Sequence, residues 1–253
     1  MPHRMRFMNT FIDNLTMEEA LTEIEKLIKK DACSFVVTPN VDHIVQIEKG
    51  GVLADAYESA DLILCDGKPL IWISRYYGNP IKEKISGSDL FPEICRMAAE
   101  KGYTMYFLGA AEGIAAKAAE VLKQKYVGLK VVGTYSPPYG FENNQEEIDR
   151  IINQIHEAKP DILIFGLGTP KQEKFILNYR TRLNVPVSLG LGASFDFVAG
   201  NVKRAPKWMS DHGLEWLFRI TQDPKRMAKR YLVDDVKILS LVRKYKKEMK
   251  ENN

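Results

Sequence analysis

The sequence is poor in residues that staple or anchor a chain from outside its own core. It has three cysteines in 253 residues, Cys33, Cys65 and Cys95. The count is odd, the spacing wide and the surroundings apolar, so reduced core thiols are expected rather than disulfides or a zinc cluster. The four histidines, His3, His43, His156 and His212, show no metal-ligand spacing. No Asp-x-Asp follows a predicted strand, and the adjacent acidic pair of the C-terminal region, Asp234-Asp235, falls mid-helix, so metal-independent chemistry without a cofactor is expected. Apolar runs stop far short of the ~20 residues that span a bilayer. Residues 1–10 carry Arg4 and Arg6 but no continuous apolar stretch, so no signal peptide is expected and the protein is assigned to the cytoplasm. A full Gly-x-Gly-x-x-Gly fingerprint is also missing, which argues against ordinary dinucleotide binding and a hydride-transferring oxidoreductase.

What is present is a recurring pattern: a strand-length apolar run that stops at glycine before a helix-like segment. It occurs at Thr104-Met-Tyr-Phe-Leu-Gly109, at Asp161-Ile-Leu-Ile-Phe-Gly-Leu-Gly168 and at Val187-Ser-Leu-Gly-Leu-Gly192. Glycine there lets backbone N–H groups approach a ligand that a Cβ would exclude, and a helix start favours negative charge. The pattern suits phosphate handling; the alternative is plain strand-to-helix turn chemistry. Further strands are predicted at Ser34–Thr38, Leu62–Cys65 and Val131–Thr134. Helices are predicted after a Thr16/Glu19 capping box, over 52–60, over Leu90–Lys101, through the alanine-rich segment before Lys125, and over Gln145–Ala158, with a loop at 136–144. Residues 1–30 read as one short strand and a helix. Alternation of this kind implies βαβ units: an α/β fold with a mainly parallel sheet and helices on both faces.

Charge divides the chain. Residues 201–253 hold fourteen Lys and Arg against seven Asp and Glu, whereas residues 1–200 hold 22 against 26. We therefore expect a catalytic core over 1–200 and a basic helical appendage over 201–253. From Pro224 one helix is predicted, with an apolar stripe of Met227, Tyr231, Ile238, Val242, Tyr245 and Met249 flanked by lysines and arginines. Such a helix either packs on the core with solvated lysines or rests on an anionic membrane surface. Nucleic acid is not an expected partner, because Trp208, Trp216, Tyr231 and Tyr245 fall at helix-packing positions rather than on a base-stacking platform. The sequence is compatible with a homo-oligomer.

The candidate site residues lie at strand carboxyl ends, where ligands of such sheets collect. Asp66 follows an apolar strand and precedes Gly67; its carboxylate could take a proton from a sugar hydroxyl, or make an Asx-turn hydrogen bond. Thr38 and Asn40 flank Pro39 and could bond a sugar or phosphate, or stabilise the turn. Gly166-Leu-Gly-Thr-Pro-Lys-Gln-Glu173, which includes Gly168 and Gln172, reads as an exposed helix N-terminus with a Thr169 cap and Pro170 in the first turn, and a nucleotide phosphate or uracil amide edge would fit it. Ser86-Gly-Ser-Asp89 is a second cap-like turn. Asp196, between Phe195 and Phe197, is either buried with hydrogen bonds or a ligand contact. Lys84, like Lys68, is a candidate basic partner for a donor sugar that carries a carboxylate.

Taken in order, Thr38-Pro-Asn-Val-Asp42, Asp66-Gly-Lys-Pro69, Ser86-Gly-Ser-Asp89, Phe107-Leu-Gly109, Gly166 to Glu173, Gly190-Leu-Gly-Ala-Ser-Phe-Asp196, Arg204-Ala-Pro, Glu215-Trp-Leu-Phe-Arg219 and Asp223-Pro-x-Arg226 closely resemble the WecG/TagA/CpsF glycosyltransferases, glycosyltransferase family 26. The resemblance runs from about Thr38 to Arg230. It implies a Rossmann-like core and an inverting, peripherally membrane-associated enzyme on the inner face of the cell membrane. The implied donor is a UDP-sugar, and the implied acceptor is N-acetylglucosamine on undecaprenyl diphosphate. One branch of the family transfers N-acetylmannosamine in wall teichoic acid linkage-unit synthesis; others use the uronic acid form or a hexose. Carried over by position, Asp66 resembles the general base, Thr38 and Asn40 its neighbours around the sugar, Gln172 and Asp196 donor contacts, and Arg219, Arg226 and Arg230 clamps for the diphosphates.

Overall fold

The computed structural model describes residues 3–30 and 32–251. A hairpin of β1 (Arg4–Phe7) and β2 (Thr10–Asp13) precedes α1 (Met17–Ile28), β3 (Ser34–Val37), α2 (Val41–Ile47), α3 (Val52–Glu58), β4 (Leu62–Ile63), α4 (Lys68–Tyr76) and α5 (Gly87–Lys101). Next come β5 (Thr104–Gly109), α6 (Ile114–Lys125), β6 (Lys130–Tyr135), α7 (Gln145–Ala158), β7 (Ile162–Gly166), α8 (Lys171–Leu183), β8 (Val187–Gly190) and α9 (Ser194–Val198). The C-terminal region carries α10 (Lys207–Asp211), α11 (Glu215–Gln222), α12 (Pro224–Lys229) and α13 (Ile238–Glu251).

Six strands form one parallel sheet in the order β4-β3-β8-β7-β5-β6. Strand periodicity splits the core in two. Phe35, Val37, Tyr106, Leu108, Leu163 and Phe165 face α2, α3, α7 and α8, while Val36, Met105, Phe107, Ile162 and Ile164 face α1, α5, α6 and α9. The expected α/β sheet with helices on both faces is therefore present. After β3 the chain leaves towards α2 on one face, and after β8 towards α9 on the other, so a crevice opens beyond the carboxyl ends of these neighbouring strands.

Several expectations need correction. The first thirty residues contain a hairpin, not a single strand. Its Asp13 is buried, accepts Ile63 N–H at 2.8 Å and pairs with Arg4, which ties the hairpin to the short edge strand β4. Helices α2 and α4 were not expected: their first residues follow Pro39-Asn40 and Asp66-Gly67, which read locally as turns. The single helix expected from Pro224 is interrupted, with a π turn at Arg230–Asp234 and a 3₁₀ turn at Asp235–Lys237 separating α12 from α13. The break follows the docking of Arg230 and Asp235 into the core, which a straight helix would carry past. Trp208, placed at a packing position by the sequence, is largely exposed because α10 is a single turn and buries little. Helix α13 does pack on the core: Ile238 is buried, Tyr77 donates to the Val242 carbonyl, and Lys244 and Tyr245 both bond Glu48.

Candidate active site

Two cavities meet beyond the carboxyl ends of β3, β4, β7 and β8. The larger, about 730 Å³, is lined mainly by polar and charged residues and is walled by the β3–α2 turn, the β7–α8 and β8–α9 loops, and the segment from Arg219 to Arg230. The smaller, about 370 Å³, is mostly apolar; Pro69, Trp216, Leu232, Val236 and Leu239 form much of its wall between α4 and the C-terminal helices. Asn40, Asp66, Arg219 and Arg230 line both.

Asp66 owes its place to a sharp turn. Gly67 takes φ +105°, a conformation that side chains other than glycine rarely adopt, and lets the chain pass from β4 straight into α4. The Asp66 amide donates to the Pro39 carbonyl at 2.8 Å, fixing the two strand-end turns side by side. The Asp66 carboxyl is pushed up to about 6, chiefly by burial; Lys84 and Arg219 pull it down, and Glu215 and Asp89 push it up. A carboxylate so placed ionises near neutrality and is a stronger base than a solvated one.

Asn40 caps α2, its Oδ1 accepting from the amides of Asp42 and His43, and Arg230 donates to the same oxygen at 3.1 Å. Arg230 also lies 3.6 Å from Asp42 and 3.9 Å from Asp235. Asp235, buried beside it, is pushed up to about 6, mainly by burial. Arg219 is held by Glu215 at 2.7 Å and lies over the Phe197 ring. Arg226 pairs with Asp223, the cap of α12, and is mostly exposed.

On the opposite wall the sequence reading of Thr169 needs revision. Helix α8 starts at Lys171, its cap position is Pro170, and the Thr169 hydroxyl bonds His43 and Glu173 instead of capping the helix. Gln172 is buried, with its amide spent on Glu173 and on the Gly192 N–H. Ser86 does cap α5 as expected. Beside it Asp89, despite its burial, is held well below the usual carboxylate range by Arg204, Lys84 and Ser86.

Of the residues singled out by sequence, Thr38, Asn40, Asp66, Gly168, Gln172, Arg219, Arg226 and Arg230 all line the larger cavity. Lys84 lines the smaller one and is tied to Asp89 at 2.8 Å. Asp196 lines neither; its carboxylate bonds the Asn201 amide at 2.8 Å, while its neighbours Phe197 and Asn201 form the wall. The sequence reading missed His43 and Glu215. His43 occupies the third position of an Asn-capped helix and closes a reciprocal capping box with Asn40, a signal hidden because glutamate or glutamine usually stands there. Glu215 stands four residues before Arg219, a spacing that pairs the two on one helix face.

The fold and the cleft define an α/β protein that sets a raised carboxyl beside three arginines and a glycine-lined wall, a site for an anionic ligand. A family model described as the glycosyl transferase WecG/TagA/CpsF family matches residues 5–252, and the chain belongs to that glycosyltransferase family. Three relatives bear the name N-acetylglucosaminyldiphosphoundecaprenol N-acetyl-beta-D-mannosaminyltransferase. That of Bacillus spizizenii strain W23 is 35% identical over 193 residues, 76% of this chain and 73% of the relative. That of Bacillus subtilis strain 168 is 37% identical over 172 residues, 68% of this chain and 65% of the relative. That of Staphylococcus aureus strain MW2 is 26% identical over 219 residues, 86% of this chain and 84% of the relative.

Proposed function

We propose that the protein transfers N-acetylmannosamine from UDP-N-acetylmannosamine to the 4-hydroxyl of N-acetylglucosamine on undecaprenyl diphosphate, with inversion and without a metal ion. The observation that carries this reading is the position of Asp66 where a polar and an apolar cavity meet. The donor takes the polar cavity, with its nucleotide against Gly168, Gln172 and the β8–α9 loop and its diphosphate towards Arg219 and Arg226. The acceptor sugar approaches Asp66 from the apolar side, where Leu232, Val236 and Leu239 suit the first isoprene units of its lipid.

In this reading Asp66 removes the proton from the acceptor hydroxyl as that oxygen attacks the anomeric carbon, and the bond to the UDP oxygen breaks on the opposite side. One displacement inverts the centre. The negative charge that grows on the departing diphosphate is met by guanidinium groups, which bond phosphate oxygens in pairs. Arg219 and Arg226 pair with Glu215 and Asp223, and a diphosphate competes with these carboxylates for the same guanidinium groups. Thr38 and Asn40 border the sugar.

The membrane assignment rests on surface chemistry. Trp208, Leu232, Val233, Val236 and Leu239 are exposed on the C-terminal segment, and Trp72 and Tyr76 on α4, beside a run of lysines and arginines. Aromatic and basic residues grouped in this way suit an anionic bilayer interface. Among the described residues no helix is long and apolar enough to cross a membrane.

The test is UDP release from the purified protein given a short-chain lipid-diphosphate N-acetylglucosamine, with UDP-N-acetylmannosamine and its uronic acid form compared in the presence of EDTA. Turnover with the first donor alone is expected. Turnover with the uronic acid alone, or only after manganese or magnesium is restored, would contradict the reading.

A further inference from the structure

A chain of hydrogen bonds crosses the floor of the larger cavity and ties together three loops that the sheet leaves separate. The Asn40 amide donates to His43 Nδ1 at 3.2 Å, and His43 Nε2 lies 2.6 Å from Thr169 Oγ1. Thr169 Oγ1 lies 3.0 Å from Glu173 Oε1, which also accepts from Gln172 Nε2 at 2.8 Å. Gln172 Oε1 in turn accepts the Gly192 amide at 3.0 Å. The links thus run from the β3–α2 turn through α8 to the β8–α9 loop.

Donor and acceptor roles along the chain are forced. A backbone amide can only donate, so Nδ1 of His43 is the bare nitrogen and Nε2 carries the ring proton. Nε2–H then donates to Thr169, whose own hydroxyl proton must go to Glu173. One arrangement is consistent with all of these bonds, and it needs His43 neutral. Burial lowers His43 to about 4, with Asp42 opposing and Arg230 adding to the shift, so the neutral ring persists at neutral pH. His43, Gln172 and Glu173 are all buried, so solvent does not compete for these bonds.

We propose that His43, Thr169 and Glu173 are positioning residues that hold Asn40, on the acceptor side of Asp66, in fixed register with Gln172, on the donor side. They act through Asn40 and Gln172: Glu173 lies behind the wall of the larger cavity, and the polar atoms of His43 and Thr169 that border it are engaged with one another. Their effect is on the distance between two loops whose side chains must meet donor and acceptor at once, and a misplacement of about 1 Å in such a geometry costs roughly 100-fold in rate. The bond between His43 and Thr169 spans 126 residues of sequence and joins α2 to the β7–α8 loop. Glu173 enters the relay through one oxygen: Oε1 takes both bonds, and Oε2 is buried without a partner.

The proposal rests on the transferase reading, so its test is a comparison among variants together with one readout that needs no turnover. Thr169→Val keeps the shape and removes both bonds. It is expected to lower kcat for transfer roughly 10- to 100-fold, with the Kd for UDP by calorimetry changed less than about threefold; Thr169→Ser restores the rate. In an Asn40→Ala background the same Thr169→Val change is expected to cost less than about threefold, because the group it positions is already gone. Glu173→Gln, which keeps the Oε1 acceptor, stays near wild type, whereas Glu173→Ala does not. If Thr169→Val lowers the melting midpoint by more than a few degrees, Thr169→Ala against Thr169→Ser replaces it. By nitrogen-15 NMR, His43 is expected as the Nε2-protonated tautomer with a slowly exchanging ring proton that is lost in Thr169→Val. Additive losses in the double variant, a wild-type rate in Thr169→Val, or the opposite tautomer would overturn the relay. A wild-type protein that transfers nothing counts against the transferase reading, and the NMR result then decides the relay by itself.

Discussion

Asp66 is where residue-level chemistry and function meet. Its carboxyl ionises at about 6 in the folded protein, above the ~3.9 of an unfolded chain. Only the ionised form can accept a proton, so kcat/KM should fall as pH drops through about 6, with a slope of one proton in a pH–rate profile. A flat profile between pH 5 and 8 would remove Asp66 as the base. Stability has the opposite sign. Burial disfavours the charged form, so ionised Asp66 costs stability at pH above about 6, and the cost vanishes below the unfolded value near 4. Asp66→Asn should therefore lower transfer by roughly 10²- to 10⁴-fold while raising the melting midpoint at pH 8 and leaving it unchanged at pH 4. The gain is on the order of 3 kcal/mol at most. Asp66, Thr38 and Asn40 were legible in the sequence because polar residues that end apolar strands stand out. His43 was not, because a single histidine beside Ile44 and Val45 looks like core, and only the folded chain brings Thr169 to it.

At the scale of elements, the strand ends decide how closely backbones approach in the cleft. Gly109 sits at φ +125°, and a Cβ there would lie 2.6 Å from the Gly166 carbonyl carbon of the neighbouring strand. Gly109→Ala combines backbone strain with a clash against main chain that cannot move aside, and should destabilise by about 3 kcal/mol. A urea midpoint close to wild type would contradict that packing. The three glycine-ended runs were readable as strands because their apolar lengths match β5, β7 and β8. Helices α2 and α4 escaped because each begins at a turn sequence, and their seven and nine residues give periodicity little room. The hairpin escaped for a different reason. Its two strands of four residues are held by Asp13 and Arg4 contacting residues 60–63, a long-range anchor that local pattern does not carry.

At the scale of the whole molecule, the C-terminal segment completes the cleft: Arg219, Arg226 and Arg230 come from it, while Asp66, Thr38 and Asn40 come from the sheet. The charge asymmetry marked this segment in the sequence, but its broken course could not be read, since Arg230 turns inward to Asn40 and Asp42, and Asp235 follows it as its partner. Ending the chain after Gly200 should leave a folded sheet with UDP binding weakened and transfer abolished; circular dichroism and the transfer assay check the two halves, and an active truncate would contradict the assignment of the arginines. The central claim is that the two cavities hold donor and acceptor with Asp66 between them as the base. The most direct test is the single-turnover rate of N-acetylmannosamine transfer at pH 7.5, with both substrates saturating, in wild type and Asp66→Asn. A rate reduced by at least about 100-fold, with UDP affinity retained, is the result predicted. A rate within a few-fold of wild type in a folded Asp66→Asn protein would contradict it.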